Sequence, residues 1–198
     1  MARRKTPKTA SKPYEPPQMF LEDLIPRMPW GTQFIVYGDG AGFSHPHNGG
    51  WCTVVYDDLT ETYEVLFGNC SNTTNNEMEL MQVVRGLQYI DDVLDSPRTT
   101  VWVVSDSQYV VYGAQGRYRL TGNRWLWKAL EHFKRRFTVE FEWFDRAFFV
   151  VPDHISKWAS RDARDMNRVI RSTDPKDWKE VERDWRDRFR PGSSGESD

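Results

Sequence analysis

The sequence predicts one α/β domain, a mixed sheet of five strands with helices on both faces. Three observations lead there. Three β-rich runs follow one another closely, with a turn-like tetrapeptide between the second and third. Two later strand-like runs are each preceded by a helical pattern, the order that links strands through crossovers. The 198 residues suit one domain of ordinary size plus tails, and no internal repeat or second core is visible.

Each element has its own reason. Gln33–Tyr37 is a short apolar run ending in Gly38-Asp39-Gly40, which predicts a buried strand that stops at a turn. Trp51–Tyr56 and Thr62–Phe67 flank Asp57-Asp58-Leu59-Thr60 and predict a hairpin. Met78, Met81, Val84, Leu87 and Ile90 recur at helical spacing, predicting a helix over Glu77–Ile90. Thr99–Val104 is apolar at its centre, as a strand covered on both faces should be. Asn123–Phe137 predicts a helix and Val139–Phe144 a strand. An extended Phe148–Pro152 then leads to a helix over Ile155–Ile170.

Composition narrows the classes. Hydrophobic residues are 38% and charged residues 28%, with 27 basic against 29 acidic side chains. That excludes a chain disordered throughout, a collagen-like repeat and a disulfide scaffold. No apolar run approaches the ~20 residues that cross a bilayer, so no membrane is expected as a partner. Met1–Pro17 lacks the apolar stretch of a signal peptide. The two cysteines, Cys52 and Cys70, fit the cytoplasm or another reducing compartment.

The charge is unevenly spread. Met1–Gln18 carries Arg3, Arg4, Lys5, Lys8 and Lys12 against Glu15 alone, with four prolines. Residues 1–30 therefore read as a flexible basic arm, either contacting phosphates or keeping the chain soluble. The domain proper is expected over 31–171. An appended amphipathic helix follows over 172–190, and a Gly/Ser-rich tail over 191–198. Trp178, Val181, Trp185 and Phe189 form one apolar stripe on that helix. The stripe docks either on its own domain or on a protein partner.

Carboxylates stand at the joints of this pattern. Asp39 ends the first strand, Glu79 lies in the first turn of the first long helix, and Asp106 follows the fourth strand. Groups at strand ends of an open sheet converge on one crevice. Three acids gathered there repel one another unless a divalent cation neutralises them, and oxygen ligands favour Mg²⁺ or Mn²⁺. Each acid also has a structural reading: a turn, a first-turn charge and an N-cap.

The flanking residues add more. Tyr37-Gly38-Asp39-Gly40, Thr73-Thr74-Asn75-Asn76-Glu77-Met78-Glu79-Leu80 and Ser105-Asp106-Ser107-Gln108-Tyr109-Val110 occur in this order and at these intervals. Together they resemble type 1 ribonuclease H from about Gln33 to Arg164. Asn48-Gly49-Gly50-Trp51 is similar to the Gly-rich entry of that family's second strand. Asn123-Arg124-Trp125-Leu126-Trp127 is similar to its later helix, with Asn at the start and Trp near the fifth position. The resemblance implies a ribonuclease H-like fold and hydrolysis of the RNA strand of RNA–DNA hybrids. It implies Asp39, Glu79 and Asp106 as catalytic metal ligands for two Mg²⁺ or Mn²⁺ ions. It also implies Gly40, Asn75, Asn76 and Gln108 as substrate contacts.

Two departures stand out. The interval from Asp106 to Asn123 is too short for the family's long basic protrusion, leaving Arg117 and Arg119. The last block, Val151–Arg164, resembles the plant reverse-transcriptase-associated branch. Aligned without a gap, it places the family's Asn on Ser156 and its fourth catalytic Asp on Ser160. One ion is then held weakly. Asp162, two residues on, lies ~200° around a helix, and Asp165, five residues on, lies ~140° around. Asp145 and Asp153 are read as loop residues freer to approach, and His154 as a candidate for the family's loop histidine. The alternative function is a catalytically weakened or inactive nucleic-acid-binding or assembly protein. A zinc site on His45, His47 and the cysteines lacks any supporting spacing.

Overall fold

A computed structural model describes residues 21–42, 48–94, 99–161 and 167–172. The chain runs α1 (Leu21–Leu24), a 3-10 turn (Ile25–Arg27), β1 (Phe34–Gly42), β2 (Asn48–Asp57), β3 (Thr62–Ser71), α2 (Asn75–Val93) and β4 (Thr100–Ser105). It continues with α3 (Gln108–Ala114), α4 (Arg124–Arg136), β5 (Thr138–Trp143), a 3-10 turn (Arg146–Phe149), α5 (Val150–Ala159) and β6 (Asn167–Ser172). The strand order is β5-β4-β1-β2-β3-β6. β1, β2 and β3 are antiparallel neighbours, and β4 and β5 join β1 in parallel. The five expected strands thus form the expected mixed sheet.

Alternation along β1 divides the core. Phe34 and Val36 pack with Met81, Val84 and Leu87 of α2 and Leu130 of α4. Ile35 and Tyr37 pack on the other face with Phe149, Ile155 and Ala159 of the α5 region. α2 starts two residues earlier than its apolar spacing predicts. Thr74 caps it by accepting from the Glu77 N–H at 3.2 Å, and Thr73 Oγ1 donates to Glu77 Oε2 at 2.8 Å. Glu79 therefore sits in the second turn.

Three expectations need correction. β1 does not stop at Gly38-Asp39-Gly40; it pairs with β2 through Gly42. The glycines serve close approach instead of a turn, since a Cβ on Gly40 would lie 2.2 Å from the Glu79 nitrogen. The segment 148–152 is not extended and the following helix does not reach Ile170. Pro152 falls in the first turn of α5, where its missing N–H costs nothing. Beyond the helix the chain returns as β6, antiparallel to β3, so a sixth strand covers that sheet edge. Finally, packing begins before Gly31, because Leu21 and Leu24 are fully buried against Ile35 and Tyr37.

Among the described residues no helix is long and apolar enough to cross a membrane. The expected basic segment 1–18, the expected helix over 172–190 beyond Ser172 and the 191–198 tail fall outside the described residues, as do His45, His47, Asp162 and Asp165. Cys52 is fully buried among apolar side chains, a poor place for a zinc ligand.

Candidate active site

The site forms where β1 outruns β4. The parallel pairing of these strands ends at Tyr37 with Val104, while β1 continues to Gly42 against β2. The freed edge beyond Tyr37 opens a crevice, with Asp39 on one wall and Asp106, just past β4, on the other. Asp39 shares the face of Ile35 and Tyr37, toward α5. Glu79 arrives from α2 on the opposite face and is brought close by the glycine at position 40.

Glu79 is fixed by two donors. Asn75 Nδ2 donates to its Oε1 at 2.6 Å, and Ser107 Oγ donates to its Oε2 at 2.5 Å. Asn75 is itself held, its Oδ1 accepting from the Gly42 N–H at 3.0 Å. Ser107 also caps α3, accepting from the Val110 N–H at 3.4 Å. The two motifs around Glu79 and Asp106 are thereby joined by hydrogen bonds. Trp143 Nε1 donates to the Asp106 carbonyl at 2.8 Å and ties the β4 exit to β5.

Asp39 is only 4% exposed, and among the described residues its single side-chain partner is Ser156, whose Oγ donates to Oδ2 at 3.2 Å. Burial, and then the charges of Asp106, Asp153 and Glu79, push its carboxyl up to about 7, against an opposing pull from Arg146. Burial also raises Glu79, opposed mainly by the hydrogen bonds from Ser107 and Asn75, and raises Asp106, opposed first by Arg146. Asp153 goes the other way. Burial pushes it up, but hydrogen bonds from Lys157 and Arg146 outweigh this and hold it below the usual carboxylate range.

The remaining candidates separate by geometry. Gly40 is buried between β1 and α2 and has no room to face a ligand with a side chain. Asn76 and Gln108 are exposed at the starts of α2 and α3. Ser160 does not reach Asp39; its Oγ donates to the Lys157 carbonyl at 2.7 Å. The serine that does is Ser156, one turn earlier on α5. Asp153 is no loop residue but lies in the first turn of α5, and Asp145 accepts from the Ala147 N–H at 2.9 Å as a cap. His154 is exposed on α5. Sequence reasoning missed Arg146 and the structural use of Tyr109. The Tyr109 hydroxyl accepts from Asn123 Nδ2 at 3.2 Å and Trp127 Nε1 at 3.0 Å, joining α3 to α4. Tyr109 was within reach, because both of its donors lie in the motif that marks α4.

The donor set tests whether a cation fits. It is all oxygen, and burial raises Asp39, Glu79 and Asp106, a penalty on their charged forms that a cation among them would relieve. Such a set suits a hard divalent ion. Among the described residues no three His, Cys, Asp or Glu side chains converge closely enough to make a ready-made cage. Both Glu79 oxygens are instead engaged by Asn75 and Ser107, and Asp39 Oδ2 by Ser156.

A family model described as RNase H matches residues 31–145. A ribonuclease H of Cupriavidus pinatubonensis is 39% identical over 99 residues, covering 49% of this chain and 58% of that protein. The chain thus spans a little over half the length of that relative. A ribonuclease H of Caldicellulosiruptor saccharolyticus is 30% identical over 125 residues, covering 56% of this chain and 81% of the relative. Among solved structures, LC11-RNase H1 in complex with RNA/DNA hybrid superposes with a TM-score of 0.56. The identity is 24%, covering 65% of this chain and 96% of that one, a likeness of fold.

Proposed function

This chain belongs to the ribonuclease H family, and from that premise we propose that it is an endonuclease hydrolysing the RNA strand of RNA–DNA hybrids. Asp39, Glu79 and Asp106 would hold two Mg²⁺ or Mn²⁺ ions. The observation that carries the reading is Asp39: a buried carboxylate raised to about 7 and facing other acids across an open strand edge. A fold has little reason to keep such a group unless something positive comes to it. Bound cations supply an activated water and neutralise charge on the leaving 3′-oxygen. The chain's own work is positioning. Asn75 and Ser107 fix the Glu79 carboxylate, Gly40 brings α2 against β1, and Trp143 holds the backbone of Asp106. The exposed Asn76 and Gln108 stand at the mouth, suited to the sugars and base edges of a hybrid's minor groove.

Cleavage of an RNA–DNA hybrid across a Mg²⁺ and Mn²⁺ titration tests this, with double-stranded RNA and double-stranded DNA as controls. Cleavage confined to the hybrid's RNA strand is expected, and Asp106→Asn should reduce it to background while hybrid binding survives. Cleavage that persists in Asp106→Asn, or none by the parent at any metal concentration, would refute the reading. A second reading, hybrid binding with little or no turnover, is favoured by Ser156. A hydroxyl, not a carboxylate, is the group on α5 that meets Asp39.

A further inference from the structure

We propose that Arg146 contacts the substrate: a guanidinium tethered on Asp153 at the rim of the carboxylate crevice, it takes a phosphate oxygen of the nucleic-acid backbone. The inference rests on the hybrid-binding reading above. Arg146 opens the 3-10 turn before α5, and its Nη2 donates to Asp153 Oδ1 at 2.5 Å. Asp153 is gripped a second time by Lys157 Nζ at 2.7 Å, so the tether is fixed from two sides. The same turn of helix reaches the centre of the site. Ser156 Oγ lies 3.1 Å from the Asp153 carbonyl and 3.2 Å from Asp39 Oδ2.

The Arg146 side chain is 65% exposed, whereas that of Asp153 is only 16% exposed. Among the described residues Asp153 is its sole hydrogen-bond partner, which leaves most of its five N–H donors facing solvent. So exposed an ion pair contributes little to stability, which leaves the placement to be explained by something else. Its charge also acts on Asp39, Glu79 and Asp106 without pairing with any of them. A phosphodiester approaching this crevice meets several carboxylates, and a guanidinium fork at the rim offsets that repulsion with directed hydrogen bonds.

The test measures binding of a short RNA–DNA hybrid to the full-length Asp106→Asn chain in Mg²⁺ over a series of salt concentrations. Adding Arg146→Gln should weaken binding about tenfold and lower the salt slope by about one released counterion. Adding Arg146→Lys should keep the slope but recover only part of the affinity, because a point charge lacks the fork. Melting temperatures should be unchanged by either. A calorimetric Mn²⁺ titration without nucleic acid supplies the opposing outcome. If Arg146→Gln leaves hybrid affinity and slope unchanged, or only tightens Mn²⁺ binding, Arg146 is a counter-charge to the acids and the proposal fails alone. If the Asp106→Asn parent does not bind the hybrid, the functional reading falls and takes this proposal with it.

Discussion

Glu79 and Asp39 flank the same crevice and are held in opposite ways. Glu79 has both oxygens engaged by short hydrogen bonds, from Asn75 one turn before it and from Ser107 at the start of α3. Asp39 is more deeply buried, has one longer hydrogen bond from Ser156, and carries the charge of its acidic neighbours. One side of the site is therefore pre-positioned, and the other is electrostatically loaded. Hydrogen bonds to a carboxylate stabilise its charged form, whereas burial beside like charges favours the neutral one. The difference explains why Asp39 titrates near neutrality.

The contact that brings the two sides together is the easiest to break. A Cβ at position 40 would meet the backbone of Glu79 at 2.2 Å and of Met78 at 2.3 Å, atoms that cannot rotate aside. Gly40→Ala should cost about 3 kcal/mol or more, the upper range for overpacking, read from urea unfolding. A loss under ~1 kcal/mol would show that α2 can slide away from β1 without harm.

Asp39→Asn sharpens the electrostatic half. A carboxyl raised from 3.8 to about 7 binds its proton more tightly in the folded chain than in the unfolded one. Its contribution is fully present below pH 3.8 and is lost as pH rises through about 7. The metal-free protein should thus lose a few kcal/mol between about pH 4 and pH 7 through this group. Asp39→Asn should flatten that part of the stability profile, and added Mg²⁺ should flatten it in the parent by favouring the charged form. Denaturant midpoints across the range measure both effects.

The smallest differences compare the donors. Asn75→Ala removes a bond to Glu79 and another to the Gly42 N–H, and should cost about 1–2 kcal/mol. Ser156→Ala removes one 3.2 Å bond to a carboxyl that is partly neutral at pH 7, and should cost under ~1 kcal/mol. Equal losses would mean that the two acids are held alike after all.

The two sides also differ in how well the sequence foretells them. Around Glu79 the partners are local or lie in a motif: Asn75 is four residues away, and Ser107 is adjacent to Asp106. Around Asp39 the charge of Asp106 comes from a motif, but Ser156 and, by charge, Asp153 and Arg146 lie more than a hundred residues along the chain. Ungapped alignment of the last block points to Ser160, but a helix presents a different face at each residue. Only the docking of α5 on β1 and β2 selects Ser156. There the Gly50 backbone makes room, since a Cβ on it would lie 2.1 Å from the Ser156 carbonyl. Arg146 carried no motif, so nothing in the order of residues singled it out.

The sequence by itself determined the five strands and the two long helices, and it marked Asp39, Glu79 and Asp106 as candidates. Periodicity and turn chemistry are local properties. The extent of β1 was decided elsewhere. Gly38-Asp39-Gly40 reads as a turn in isolation, yet pairing with β2 and the close packing of α2 keep it extended. The same holds beyond Ala159, where a free sheet edge at β3 recruits residues 167–172 as a strand. Backbone hydrogen bonds at a sheet edge and the depth of a crevice depend on partners remote in sequence. The burial that raises Asp39 and the hydroxyl that meets it are therefore properties of the assembled fold.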